Sequence, residues 1–179
     1  MLDRFEINGP ARARIERERR PESVVIEHPQ HGRVRLNDQR PLSDATLAPA
    51  LRDGLAPADW YALLNARVFF WVDEDRLARM LGTYQRWRNV VLVLDTARVL
   101  ADHAPRVTLS AINSGYSLRA AQPRGRDTFC RLGDFATHRL NANGKRIRRE
   151  VAECALDYAL PNVENYLVEL REPKSSSHA

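Results

Sequence analysis

The stretch from Arg148 to Pro161 constrains the fold most. It reads Arg-Arg-Glu-Val-Ala-Glu-Cys-Ala-Leu-Asp-Tyr-Ala-Leu-Pro. Its even positions, Ala152, Cys154, Leu156, Tyr158 and Leu160, make an apolar row at the two-residue period of a strand, and such a row needs a core. Its odd positions are Val151, Glu153, Ala155, Asp157 and Ala159. A face turned wholly to water more often carries Thr, Lys, Arg or Glu throughout. Here one carboxylate, Glu153, sits in mid-strand among small side chains. Two readings follow: a half-exposed acid paired with a nearby arginine, or a carboxylate with room beside it for a ligand.

The rest of the chain mixes strands and helices without a regular βαβ rhythm, which predicts an α+β fold. Leu2–Ile7 reads as the end of a helix halted at Gly9-Pro10, and Ala11–Arg20 as a second, surface helix with Arg12–Glu16 and Glu16–Arg20 pairs four apart. Short strands are expected at Ser23–Glu27 and Arg33–Leu36. Helices are expected from Ser43-Asp44 to about Arg52, and from Pro57 to Leu64. Arg67–Val72 and Asn89–Leu94 are almost wholly apolar, which predicts two strands buried on both faces. Between them Asp73 caps a helix to about Tyr84, and after them Asp95 caps one to about His103. Arg106–Leu109 and Thr128–Leu132 read as strands. Ser110–Arg126 reads as a loop and Gly133–Ile147 as irregular or partly helical and strongly basic towards its end, with a last strand at Glu164–Leu170. One domain over residues 1–171 and a disordered tail over 172–179 are expected.

At 179 residues with 44% hydrophobic and 28% charged side chains, the chain has the make-up of a globular protein with a real core. No apolar run approaches the roughly 20 residues that span a bilayer. Met1–Phe5 is neither a signal peptide nor a lipidation site, so a cytoplasmic address and no membrane partner are expected. Cys130 and Cys154 lack metal-ligand spacing and read as small buried hydrophobes. No HExxH or HxH pattern occurs among the five histidines, and no metal is expected. The net charge is +5, and 26 of the 28 basic residues are arginine. A GC-rich genome would give that bias without selection on function, although arginine is also the better partner for phosphates because its planar fork meets oxyanions in pairs.

Several constellations carry candidate chemistry, each beside a structural reading. Asn65 and Arg67 stand at the mouth of the Arg67–Val72 strand. They either hold a polar ligand there, or Asn65 merely closes the preceding helix. Ser110–Tyr116, with Asn113 and Ser114, either lines a nucleotide pocket or is ordinary Asn-Ser-Gly turn chemistry. Pro123-Arg124-Gly125 brings a further arginine near. Arg19 and Arg20 lie in a mixed-charge cluster, which is either a solvated helix face or a phosphate clamp. Arg139, Lys145, Arg146, Arg148 and Arg149 are the densest basic patch, either a grip on a nucleic-acid backbone or a loop of surface charge. No GxGxxG, P-loop or GxSxG motif is present.

LNxRVFFW, VLVLDT, SxINSG, PRGxxTF and the closing Val151-Ala152-Glu153 strand resemble an uncharacterised group of bacterial proteins. Arg19-Arg20, the strand, His-Gly turn and strand after it, and the late Glu153 strand ending Leu160-Pro161 resemble DarT-type DNA ADP-ribosyltransferases. That resemblance implies an ADP-ribosyltransferase-like split β-sheet with surrounding helices. It makes Glu153 the catalytic carboxylate and Arg20, or its neighbour Arg19, the NAD-contacting arginine. Asn65, Arg67, Asn113 and Ser114 are further expected NAD contacts. Arg124, Arg146, Arg148 and Arg149 are expected at DNA or RNA, and an antitoxin or immunity protein is a possible partner. The reaction expected is NAD-dependent modification of a nucleic-acid base. The alternative is a degenerate member of the fold that binds nucleic acid or protein without catalysis. That family opens with a His-bearing strand, a helix and a GLLS-like turn, and this chain begins about where that segment would have ended. Such a chain either has a misplaced start or lacks part of the NAD pocket.

Overall fold

The computed structural model describes residues 1–85, 89–118, 121–140 and 143–172, with backbone alone at 138–140, 146 and 147. The expected disordered tail, Glu172 apart, lies outside the described residues. The chain is α+β, with several small sheets, and divides into two compact units. Residues 1–67 and 112–128 build the first, and residues 68–111 and 129–179 the second.

In the first unit, α1 (Gly9–Arg17) starts with Pro in its first turn. The Gly-Pro pair expected to halt a helix begins one. Gly9 takes φ +58° and turns the chain. Pro10 then sits where its missing N–H would have had no helical partner. β1 (Val24–His28) and β2 (Gly32–Leu36) form an antiparallel hairpin closed by Gly32 at φ +72°. α2 (Asp44–Leu47) passes into a 3-10 turn over Ala48–Ala50. It stops short of Arg52 because Pro49 cannot donate within a longer helix. α3 (Pro57–Asn65) begins at its proline, and the Asp59 carboxylate accepts from the Ala56 amide at 3.0 Å. Its inner face buries Trp60, Tyr61 and Leu64 beside the equally buried Leu42 and Leu47. Burying an indole removes on the order of 200 Å² from water, about 5 kcal/mol before chain entropy is counted.

The second unit is entered along β3 (Arg67–Phe70). α4 (Glu74–Thr83) follows, then β4 (Val91–Leu94), α5 (Thr96–His103) and β5 (Val107–Ser110). Asp73 and Asp95 cap the two helices as expected, accepting from the amides of Arg76 and Arg98. The chain returns as β6 (Cys130–Arg131), β7 (His138–Leu140), β8 (Arg146–Arg148), β9 (Glu153–Asp157) and β10 (Leu167–Arg171). A four-stranded sheet runs β3-β9-β5-β6, and β10-β4 and β7-β8 are two-stranded ribbons.

Three expectations change here. Of the Arg148–Pro161 stretch, Arg148 ends β8 and only Glu153–Asp157 forms the expected strand. Tyr158 takes φ +66° and is 80% exposed, so the apolar alternation ends before it. The two runs expected to be buried on both faces are not. β3 lies at a sheet edge with Phe69 exposed, and β4, in a two-stranded ribbon, exposes Leu92. Sheets this narrow do not cover both faces of every strand. The segment expected to be irregular, Gly133–Ile147, holds the β7-β8 ribbon, whose turn contains Gly144 at φ +73°. Among the described residues no helix is long and apolar enough to cross a membrane.

Candidate functional site

Glu153 opens β9, an interior strand of the four-stranded sheet. The antiparallel register sets it opposite Ser110, and Ala155 opposite Thr108. The Ala152 amide donates to the Ser110 carbonyl at 2.7 Å, holding the entry to the strand. Because faces alternate along a strand, Thr108, Ser110, Glu153, Ala155 and Asp157 share one face. The other face carries Val107, Leu109, Cys154 and Leu156. The second is the apolar face expected from the even positions. Burial raises the Cys154 thiol pKa, in keeping with a small apolar role.

The first face differs from expectation. It is not an open surface of small residues but a buried polar one: Thr108 is 2% exposed, Ser110 1% and Glu153 7%. It leads outward to a 3.0 Å ion pair between Arg131 and Asp157. Withdrawing a carboxylate and two hydroxyls from water costs several kcal/mol unless polar partners replace the solvent. Thr108 was missed by sequence reasoning, and Ser110 was expected in a loop rather than on a strand beside Glu153. The signal was the alternation Val107-Thr108-Leu109-Ser110, which mirrors that of the Glu153 strand.

In the first unit, Arg20 and Asn65 are brought together. The Arg20 guanidinium donates to the Ile15 carbonyl at 2.6 Å, the Asn37 carbonyl at 3.3 Å and the Asn65 Oδ1 at 3.2 Å. Asn65 Nδ2 donates to the Glu16 carbonyl at 2.8 Å. Burial lowers the Arg20 pKa, though an arginine stays cationic at neutral pH. This knot ties the end of α1 to the end of α3. Arg19 differs. Its NH2 reaches the Arg40 carbonyl at the long distance of 3.5 Å. Its Nε is buried with no hydrogen-bond partner among the described residues. Arg67 NH1 donates to the Leu63 carbonyl at 2.5 Å, closing the last turn of α3.

The loop expected to line a nucleotide pocket is bound up with Arg124. Asn113 is exposed, whereas Ser114 is buried at 1%. The Ser114 carbonyl accepts from Trp60 Nε1 at 3.3 Å and from Arg124 NH1 at 3.0 Å. Arg124 also donates to the carbonyls of Tyr116 at 3.1 Å and Gln122 at 3.0 Å, and its guanidinium lies 5.5 Å from the Trp60 ring centroid. It is 1% exposed. The expectation that Arg124 meets nucleic acid is therefore corrected: it is an internal hub for loop carbonyls. The rest of Pro123-Arg124-Gly125-x-x-Thr128 is equally structural. A Cβ on Gly125 would lie 2.3 Å from Asp53 Oδ2, and the Gly125 amide donates to Thr128 Oγ1 at 2.9 Å.

The remaining expected nucleic-acid residues lie on or beside the β7-β8 ribbon. Arg148 and Lys145 are exposed. Arg149 is partly committed: its guanidinium lies 5.1 Å from the Phe135 ring centroid, and its amide donates to the Thr137 carbonyl at 2.8 Å. Of Arg139 and Arg146 only the strand positions are described.

No curated protein and no solved structure matches the chain. The model of a family of unknown function, DUF7002, matches residues 1–167, and the chain belongs to that family.

Proposed function

We propose that this protein is an ADP-ribosyltransferase-like domain that uses NAD to modify a nucleic-acid base, with Glu153 as its catalytic carboxylate. The observation that carries the reading is the burial of Glu153 on an interior strand, beside Ser110 and Thr108 on one polar face. Folding alone gives little reason to keep a carboxylate there. An apolar residue of similar size would avoid the desolvation cost.

The chemistry asks for such a group. Breaking the bond from ribose C1′ to nicotinamide sends the electron pair away with nicotinamide and leaves positive charge on the ribose. A fixed carboxylate held out of water stabilises that charge as it forms and orients a ribose hydroxyl. A base nitrogen then bonds to C1′ and gives up its proton. Of the two arginines that the resemblance assigns to NAD, Arg19 has a buried Nε with no hydrogen-bond partner among the described residues, while Arg20 donates to Ile15, Asn37 and Asn65.

Incubating the purified protein with NAD labelled in its adenylate portion, alone and with single-stranded DNA, duplex DNA or RNA, tests the reading. Label transferred to nucleic acid is expected. The absence of both label transfer and NAD hydrolysis would reject it in favour of a second reading, a non-catalytic nucleic-acid-binding member of the same fold. The exposed cations of the β7-β8 ribbon favour that alternative.

A further inference from the structure

We infer that the β4-β10 ribbon is a homodimer interface, on which a second copy of the chain packs its own ribbon face to face. Nothing in this depends on the reaction proposed for Glu153. The antiparallel register sets Leu92 opposite Leu170 and Leu94 opposite Leu167. Residues directly opposite each other, or two apart in one strand, share a face, so these four leucines belong to one side of the ribbon. Val90 extends the row at one end, and Val168 is the residue skipped by the bulge between Leu167 and Glu169. Val90, Leu92, Leu167, Val168 and Leu170 are between 37% and 68% exposed. The opposite side is different. Val91 and Arg171 belong to it and share a cleft with Leu77 and Leu81 of α4. One side of the ribbon therefore adjoins a helix, and the other is an open apolar face.

Area and charge point to a second copy as the occupant. The exposed leucines and valines leave on the order of 300–400 Å² of apolar surface open, more than scattered surface side chains account for. A standard interface takes about 800 Å² from each partner, a little over half of it non-polar. The face thus supplies most of the apolar part that a two-fold dimer needs. An isologous contact asks only that a patch fit itself. A row of leucines and valines meets that condition, whereas a patch of one charge would set like charges against each other. The charged residues of β10 belong to the other side and are already matched, since Arg171 pairs with Glu169 and with Glu74, each at 3.0 Å. The chain's own tail is a poor cover: residues 173–179 read Pro-Lys-Ser-Ser-Ser-His-Ala, with no large apolar side chain. The ribbon gains from the contact, because two strands alone are marginal until an apolar face is packed.

Sedimentation equilibrium of the full chain, from about 1 to about 100 µM, tests this. A species of twice the chain mass is expected, with a Kd below about 10 µM. Leu170→Lys should weaken the dimer at least about a hundredfold, because two-fold symmetry buries the new charge twice. Leu92→Ser, the milder change, should weaken it at least about tenfold. Both residues are exposed in the single chain, so melting temperatures taken below the dimer Kd should match wild type. Val25→Lys, at an exposed valine of the β1-β2 hairpin, should leave the Kd unchanged. A chain that stays monomeric up to about 100 µM would overturn the inference and leave the face to a different partner. A dimer whose Kd neither ribbon variant moves would overturn it too.

Discussion

Arginine does two different jobs in the two units. In the first, Arg124 and Arg20 point inward, and their forks satisfy carbonyls that no helix or sheet reaches: Ser114, Tyr116 and Gln122 for one, Ile15 and Asn37 for the other. In the second, Arg148 stands exposed on the two-stranded β7-β8 ribbon. The residue type is the same, but the first pair works as hydrogen-bond scaffolding and the ribbon as surface charge. A count of cations, +5 overall, does not separate these jobs. Only the position of acceptors around each guanidinium does.

The contrast breaks most readily at Arg124. Arg124→Ala should remove its hydrogen bonds to three loop carbonyls, leaving Ser114 with the Trp60 donor, and open a gap beside Trp60, costing about 3–5 kcal/mol in urea unfolding. Arg124→Lys should recover less than half of that, because a point charge cannot replace a planar fork. Arg20→Ala, which cuts the knot between α1 and α3, should cost about 2 kcal/mol by the same measurement.

A smaller effect comes from the Arg17–Asp59 pair, 2.5 Å apart, which also joins α1 to α3. The Ala56 amide, and after it Arg17, hold the Asp59 carboxyl below its ordinary pKa. A depressed carboxylate stabilises the fold above its unfolded pKa, and that stability is lost as pH falls through the folded value. Thermal melts between pH 7 and pH 2 should show this loss beginning below about pH 4 and a flatter acid limb in Asp59→Asn. The smallest effect belongs to the ribbon. Arg148→Ala should change stability by no more than about 0.5 kcal/mol. A larger loss would mean that the ribbon cations are scaffolding too, and the contrast would fail.

These differences bear on what the sequence could reveal. α3, α4 and α5 are legible because each opens with its own signal, Pro57, Asp73 or Asp95. The even face of the Glu153 strand is legible from its period. Its length is not, because Tyr158 continues the alternation in sequence while the backbone turns at φ +66°. The apolar runs of β3 and β4 suggest interior strands, but strand order is a tertiary property and sets one at an edge and the other in a ribbon. The Asn65–Arg20 contact was foreseeable as a grouping but not as a knot, since the Ile15, Glu16 and Asn37 carbonyls that complete it are main-chain acceptors. Arg124 was misjudged for the same reason: the Ser114, Tyr116 and Gln122 carbonyls that fix it carry no mark in the sequence.

The buried acid on the interior strand remains the centre of the account. The most direct test compares NAD turnover and label transfer by the wild-type protein and Glu153→Gln, with melting temperatures recorded for both. The expected result is a loss of at least about a hundredfold, the scale of removing one transition-state charge stabiliser, with the variant still folded. A folded Glu153→Gln protein that turns over NAD at the wild-type rate would contradict it.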